Sequence, residues 1–324
     1  MMLFPASRLG TPSSDGNLLN MCTAYTSVTD LVLDLGFFSS LSQLRRFLRH
    51  FDRLSRLTAH HSFAGDLQLL PDGTAPRETV PALDCSLRDF GMEHITAKAA
   101  SQLLAFIAAP RACSELRDLS IKLTSGHSAE LLLGATEVLR RCGNRLSKFE
   151  WECHVENDAN VIPQLMNNKS LGKLLVTLHL GEATAQRIES ILSNILADVT
   201  SPYLWWIRIE IRLTPPSSSQ DAQDKLLVSK DTPDSMSAFH ALVSRPIFDH
   251  FAEDSVHIAF STKTESAGAS AMMSAVECHA KALFAPWLDR GVLRRISIPA
   301  VTTLHSSIIS LNQGCSETCR YQGE

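Results

Sequence analysis

Nine hexads of the form Φ-x-x-Φ-x-Φ, most of them led by leucine, punctuate this chain of 324 residues. They stand at Val28-Leu31-Leu33, Leu54-Leu57-Ala59, Leu87-Phe90-Met92, Leu116-Leu119-Ile121, Leu146-Phe149-Trp151, Leu171-Leu174-Val176, Leu204-Ile207-Ile209 and Leu293-Ile296-Ile298, with a degraded copy at Glu253-Val256-Ile258. Successive starts are 26, 33, 29, 30, 25, 33, 49 and 40 residues apart. An apolar unit that returns every ~20–50 residues marks stacked repeats, because one such unit cannot bury its apolar face without neighbours. Repeats that touch only their neighbours build one elongated domain. The expected organisation is a lead-in over residues 1–24, a single solenoid over 25–300 and a frayed tail over 301–324.

The local period shows what each unit contains. Ile207-Arg208-Ile209-Glu210-Ile211-Arg212 puts three isoleucines on one side and three charges on the other, as a strand with one buried and one wet face requires. Residues 119–123, 149–153, 176–180 and 256–260 alternate in the same way. Between them lie helical periods. One runs from Leu41 through Leu44, Phe47 and Leu48; another spans 96–109 and is stopped by Pro110. A third opens on Ser128 and closes on Gly143, and a fourth over 182–199 carries Ile188, Ile191, Leu192, Ile195 and Leu196. A last one covers 270–288, with Pro286 placed to cut it short.

Strand–helix alternation admits an open solenoid or a closed barrel. A barrel buries both faces of its strands, which then read as near-continuous apolar runs. Lys122, Glu150, Glu152, Arg208, Glu210 and Arg212 sit mid-strand, where a barrel would bury them at high cost. The expected fold class is therefore α/β: an irregular open horseshoe with parallel strands on the concave face and helices on the convex face. Two stretches inside it break the rhythm. Residues 65–81 contain the turn cluster Pro71-Asp72-Gly73, and a flexible insert is expected at about 214–236, opening on Thr214-Pro215-Pro216.

Composition narrows the partners. With 30 basic and 34 acidic residues the formal net charge is -4, which argues against nucleic acid. No apolar run approaches the ~18 residues of a membrane span, so no membrane partner is expected. The start lacks the apolar stretch of a signal peptide, and the localisation expected is cytoplasmic or nuclear. The eight cysteines are scattered at 22, 85, 113, 142, 153, 278, 315 and 319, as buried free thiols in a reducing compartment would be.

The Leu-x-x-Φ-x-Φ strand followed by a helix resembles the leucine-rich-repeat horseshoe. Leu31-Val32-Leu33-Asp34-Leu35 leading into Leu41-Ser42-Gln43-Leu44-Arg45-Arg46-Phe47-Leu48, and Leu54-Ser55-Arg56-Leu57-Thr58 after it, is similar in style to the repeat region of fungal, basidiomycete-type F-box-like proteins. The resemblance covers roughly residues 25–300. It implies a protein-binding scaffold that recognises substrates for a ubiquitin ligase. It also implies an amino-terminal module, led by a Leu-Pro motif, that docks on the ligase adaptor; residues 1–24 show nothing like it. A free-standing scaffold or truncated gene product without a ligase link is the alternative expectation.

Residues that could carry chemistry read as structural. Neighbours on a strand face apart, so His60-His61 cannot chelate one metal, and Cys153-His154 and Cys278-His279 read as core cysteine beside surface histidine. Cys315-x-x-x-Cys319 lacks a second pair for zinc. One ring of Trp205-Trp206 should enter the core and the other lean outward. Arg45, Arg46, Arg49, Arg53 and Arg56 read as a solvated helix face. No catalytic residue, cofactor or metal is expected, and the chain is not read as an enzyme. The candidate site is the concave strand face, meeting a protein partner through Asp34, Thr58, His60, Asp89, Lys122, Glu150, Glu152, His179, Arg208, Glu210, Arg212 and His257. Reversing Glu150 and Glu152 to lysine is expected to weaken that binding without unfolding the chain.

Overall fold

In the computed structural model, which describes residues 2–3, 27–38, 40–61, 85–126, 128–155, 161–181, 184–214, 233–262 and 267–297, each of the nine hexads becomes one strand. These are β2 (Asp30–Asp34), β3 (Arg56–His60), β4 (Asp89–Ile95), β5 (Asp118–Gly126), β6 (Lys148–Val155), β7 (Lys173–Leu180), β8 (Trp206–Leu213), β9 (Val256–Thr262) and β10 (Ile296–Ser297). A two-residue strand β1 (Met2–Leu3) pairs with β2. All ten form one sheet in sequence order, every neighbouring pair is parallel, and among the described residues β1 and β10 stand at its two ends. The expected tail (301–324), the turn cluster of 65–81 and most of the lead-in lie outside the described residues.

The hexads produce the core by register. Leu31, Leu57, Phe90, Leu119, Phe149, Leu174, Ile207 and Val256 stand in one row across the strands. Leu33, Ala59, Met92, Ile121, Trp151, Val176, Ile209, Ile258 and Ile296 make the next row. All are buried in one apolar cluster. Because side chains alternate along a strand, the intervening residues fall on the opposite face. On β6 and β7 they are all part-exposed.

The second position of the first six hexads carries a backbone ladder. The carbonyl of Thr29 accepts from the N–H groups of Ser55 and Arg56, and that of Ser55 from Arg88 and Asp89. Arg88 then serves Arg117 and Asp118, Arg117 serves Ser147 and Lys148, Ser147 serves Gly172 and Lys173, and Gly172 serves Trp205 and Trp206. There the ladder stops. The equivalent residue of the degraded hexad, Asp254, has φ of 58° and turns its N–H to Gly291. Aspartate is among the few residues that occupy this left-handed region readily. Glu253, exposed where the other hexads place leucine, supplies no apolar anchor to hold the extended form.

The helices are α1 (Leu41–Leu48), α2 (Ala97–Ile107), α3 (Pro110–Cys113), α4 (Ala129–Cys142), α5 (Ala185–Ala197), α6 (Pro233–Val243), α7 (Ala267–Leu283) and α8 (Ala285–Asp289). Ser40, Thr96, Ser128 and Thr184 cap four of them, each side chain accepting an otherwise unpaired backbone N–H. Gly143 ends α4 with φ of 52°. Pro110 and Pro286 stand in the first turns of α3 and α8, where a missing N–H costs nothing. The insert expected at 214–236 is shorter than anticipated at its end, since α6 starts at Pro233; residues 215–232 lie outside the described residues. The buried side chains of α1, α2, α4 and α5 join the cluster formed by the inward strand residues. The helices therefore share one side of the sheet.

Helix C-termini are closed by residues of the following unit. The Asn168 amide donates to the carbonyls of Leu139 (2.9 Å) and Gly143 (3.0 Å) at the end of α4. Arg141 donates to Ala108 after α2, and Arg245 to Leu196, Ala197 and Val199 after α5. Trp287 Nε1 donates to Val243 at the end of α6 at 2.8 Å. Carbonyls at the helix ends thus gain donors from the neighbouring unit. Among the described residues no helix is long and apolar enough to cross a membrane.

Candidate functional site

Period-two alternation delivers a second set of rows to the polar face of the sheet. One runs Asp30, Arg56, Asp89, Asp118, Lys148, Lys173 and Trp206; a second includes Ser120, Glu150, Leu175, Arg208 and His257; a third includes Lys122, Glu152, Thr177, Glu210 and Ala259. Beyond these, His154, His179, Arg212 and Ser261 form a fourth.

The charges on this face pair across strands in three groups. Arg56 bridges two aspartates, with Nη1 3.1 Å from Asp30 and Nε 2.6 Å from Asp89. Partial burial and the neighbouring Asp118 push the Asp89 carboxyl above its usual pKa, against the pull of Arg56. Lys122 lies between Glu93 (3.2 Å) and Glu150 (3.3 Å), and Lys148 reaches the other oxygen of Glu150 at 3.3 Å. Burial works against the Lys122 ammonium, but Glu150 and Glu93 outweigh it and raise its pKa.

The third group is the most enclosed. His179 Nε2 donates to Glu152 Oε1 at 2.9 Å, and Arg212 Nη1 reaches the same oxygen at 3.1 Å, passing over β7. Arg212 Nε also donates to Glu210 at 2.8 Å, and Arg208 contacts the other Glu210 oxygen at 3.3 Å. The side chains of Glu210 and His179 are only 11% and 12% exposed. The hydrogen bond from His179, then the charge of Arg212, hold the Glu152 carboxyl below its ordinary pKa in spite of burial. A carboxylate–imidazole pair can exchange a proton, but this one is committed: the same His179 nitrogen faces both Glu152 and Arg212, and His154 covers the ring.

The structure thus unites Lys122, Glu150, Glu152, His179, Arg208, Glu210 and Arg212 in these paired groups. It leaves others apart. Asp34 is buried and caps the turn after β2 by accepting from Gly36 N–H at 2.9 Å. His60 stands beside it in register on β3, and Thr58 faces Gly91. His257 is exposed on β9, its ring 5.7 Å from that of Trp206. Glu93, Lys148 and His154 join the face unexpectedly, although counting by twos from Glu150 and Glu152 reaches Lys148 and His154; Arg53 and Arg56, expected on a helix face, lie beyond the end of α1 at Leu48, and Arg56 opens β3.

Two expectations are corrected. Neither ring of Trp205-Trp206 enters the core, because Leu204 and Ile207 occupy the inward positions. Trp205 is 53% exposed and lies against Gly172, where a Cβ would come within 3.0 Å of its ring nitrogen, with Lys173 Nζ 4.7 Å from its centroid. Trp206 falls on the polar face because it shares the phase of Arg208. Cys278 is exposed and His279 half-buried, the reverse of a core cysteine beside a surface histidine, whereas Cys153 is fully buried beside a half-buried His154. Cys113 and Cys142 are buried too. Cys22, Cys315 and Cys319 lie outside the described residues.

His61 turns away from His60 and approaches Asp34, Nδ1 to Oδ1 3.9 Å. Among the described residues no three His, Cys, Asp or Glu side chains gather as a metal site would require. Fold and site together define an open α/β protein with a single parallel sheet, helices on one side and an ion-paired polar surface on the other. No protein-family model matches the sequence, and no curated protein matches it.

Proposed function

We propose that this chain is an irregular leucine-rich-repeat-like solenoid that binds a protein partner on its polar, concave sheet face and performs no chemistry. The observation that supports this reading is the run of parallel strands in strict sequence order, β2–β10 each built on one hexad, with one face packed on helices and the other carrying part-exposed charge. Such a face is long and shallow, and its specificity resides in outward side chains. Within this reading the likeness of residues 31–48 and 54–58 to F-box-like repeats supports substrate recognition for a ubiquitin ligase.

The ion pairs change how the face should be tested. Glu150→Lys would set a third cation beside Lys122 and Lys148, so lost binding could reflect local repulsion. Lys122→Gln with Glu150→Gln removes both signs together and leaves the strands intact. The deciding experiment is affinity purification of the tagged chain from cells with the proteasome blocked, followed by mass spectrometry. Recovery of ligase adaptor and cullin subunits supports the substrate-receptor role. Partners recovered without ligase components leave a free-standing scaffold, and no partner lost by the paired Lys122/Glu150 variant removes this face.

A further inference from the structure

The polar face is not equally neutral along its length. Over β6–β7 every carboxylate meets a cation. Over β8–β10 two arginines have no carboxylate of their own. Glu210 is already held by Arg212 at 2.8 Å, so Arg208 is a second cation on one carboxylate, and its side chain is 52% exposed. Asp254 is met by Arg294 (3.3 Å) and Glu277 by Lys281 (2.6 Å). Arg295, exposed in the approach to β10, has no hydrogen bond or ion pair among the described residues.

These residues surround a groove. A cleft of about 730 Å³ is lined by Trp206, Arg208, Glu210, His257, Ala259 and Arg295, with Glu277 of α7 at its edge. It adjoins a second of about 440 Å³ that shares His257, Arg295 and Ser297 and adds Arg294 with its partner Asp254. Its floor is small: Ala259 and Ser297 are register partners on β9 and β10, so a chain can lie close to the sheet between larger side chains. One wall is aromatic, Trp206 beside His257.

Building on the protein-binding reading, we infer that this groove takes an acidic peptide segment of the partner. An aspartate or glutamate carboxylate would sit between Arg295 and Arg208, and a neighbouring apolar side chain would pack on Trp206. Guanidinium groups suit this role because their planar donors match a carboxylate and lose little hydration on pairing. Glu210, Asp254 and Glu277 are each held by another cation, so Arg208 and Arg295 are the charges left to meet acid, and the small floor and aromatic wall suit a peptide rather than a bulky folded surface.

Fluorescence polarisation with the full chain tests this. The probes are short fluorescein-labelled peptides: a set rich in Asp and Glu with one leucine, the same set with Asn and Gln, a Lys- and Arg-rich set, and a labelled single-stranded oligothymidylate. The acidic set should bind and weaken as salt is raised, since exposed charges are screened. Arg295→Gln and Arg208→Gln should each lower its affinity about tenfold, with unchanged circular dichroism. Equal binding of the amide set, preference for the oligonucleotide, no binding by any peptide, or full affinity in Arg295→Gln overturns the assignment. The wider reading fails separately. If a purified partner is lost by the Lys122→Gln/Glu150→Gln variant but kept by Arg295→Gln, the sheet face binds and this groove does not.

Discussion

His154 stacks on His179, their ring centroids 4.2 Å apart and their planes 11° from parallel. The two are register partners on β6 and β7, so the stack is a direct product of parallel pairing. It closes one side of the Glu152–His179–Arg212 group and places a polar network on a sheet face that is part-exposed elsewhere.

That network gives stability a defined acid dependence. The folded state holds Glu152 below the ordinary glutamate pKa of 4.5. As pH falls, the unfolded chain takes up a proton at this site first. The stabilisation is therefore complete above about pH 4.5 and is lost as pH drops through the lower folded value. Glu152→Gln should flatten the fall of the urea midpoint in this acid range. Parallel curves for the two proteins would refute the assignment. Glu137, pulled down to about 2 by Arg140 and Arg141, lies on an exposed helix surface and adds little after solvent screening.

Trp151 on β6 and Trp205 just before β8 should differ sharply. Trp151 is fully buried and donates from Nε1 to Val161 at 2.9 Å. Trp151→Ala should cost about 3–5 kcal/mol through lost packing and a cavity. Trp205→Ala removes an exposed ring and one contact with Lys173, and should cost less than about 1 kcal/mol. Chemical denaturation of both variants checks the contrast, and similar losses would contradict the placement of Trp205.

Asn168 should matter more than its polarity suggests. It is buried and closes α4 from the next unit through two carbonyls. Asn168→Ala takes the donor from the Gly143 carbonyl and one of two donors from that of Leu139, which also accepts the Gly143 N–H, at a cost of roughly 1–3 kcal/mol. Asn168→Asp should be worse at neutral pH, because it aims a carboxylate at carbonyl oxygens. Thermal melts order the two variants, and an aspartate variant as stable as wild type would exclude the capping role.

Thiol reactivity should follow burial. With Cys22, Cys315 and Cys319 changed to serine, Cys278 should react first with a thiol-specific reagent under native conditions. Cys153, whose thiol burial pushes up to about 12, should react only on unfolding. Mass-spectrometric mapping of early label on Cys153 would contradict its position.

Much of this molecule is legible without coordinates, for a local reason. Side-chain alternation and helical period are properties of a short stretch of backbone, so the strand at Ile207-Arg208-Ile209-Glu210-Ile211-Arg212, the buried row through Leu57, Phe90 and Leu119, and the caps at Ser128 and Gly143 follow from residues that are neighbours in the chain. Mid-strand charge likewise implies that one sheet face meets water. The failure at Trp205-Trp206 has a local cause as well: phase has to be counted from Ile207, and Leu204 already fills the inward place.

Which charge meets which was decided only by tertiary structure. Arg212 reaches Glu152 across β7, 60 positions away in sequence, and Lys122 finds Glu93 beside a strand irregularity that includes His94 at φ of 56°. Such partners depend on the register between strands separated by helices and turns of unequal length, and a shift of one residue would exchange them all. Sequence by itself determined the repeating unit and its two faces. Only the assembled sheet determined that the middle of the polar face is neutralised while Arg208 and Arg295 are left facing solvent, because ion pairing is set by distances between units and not by the order of residues within one.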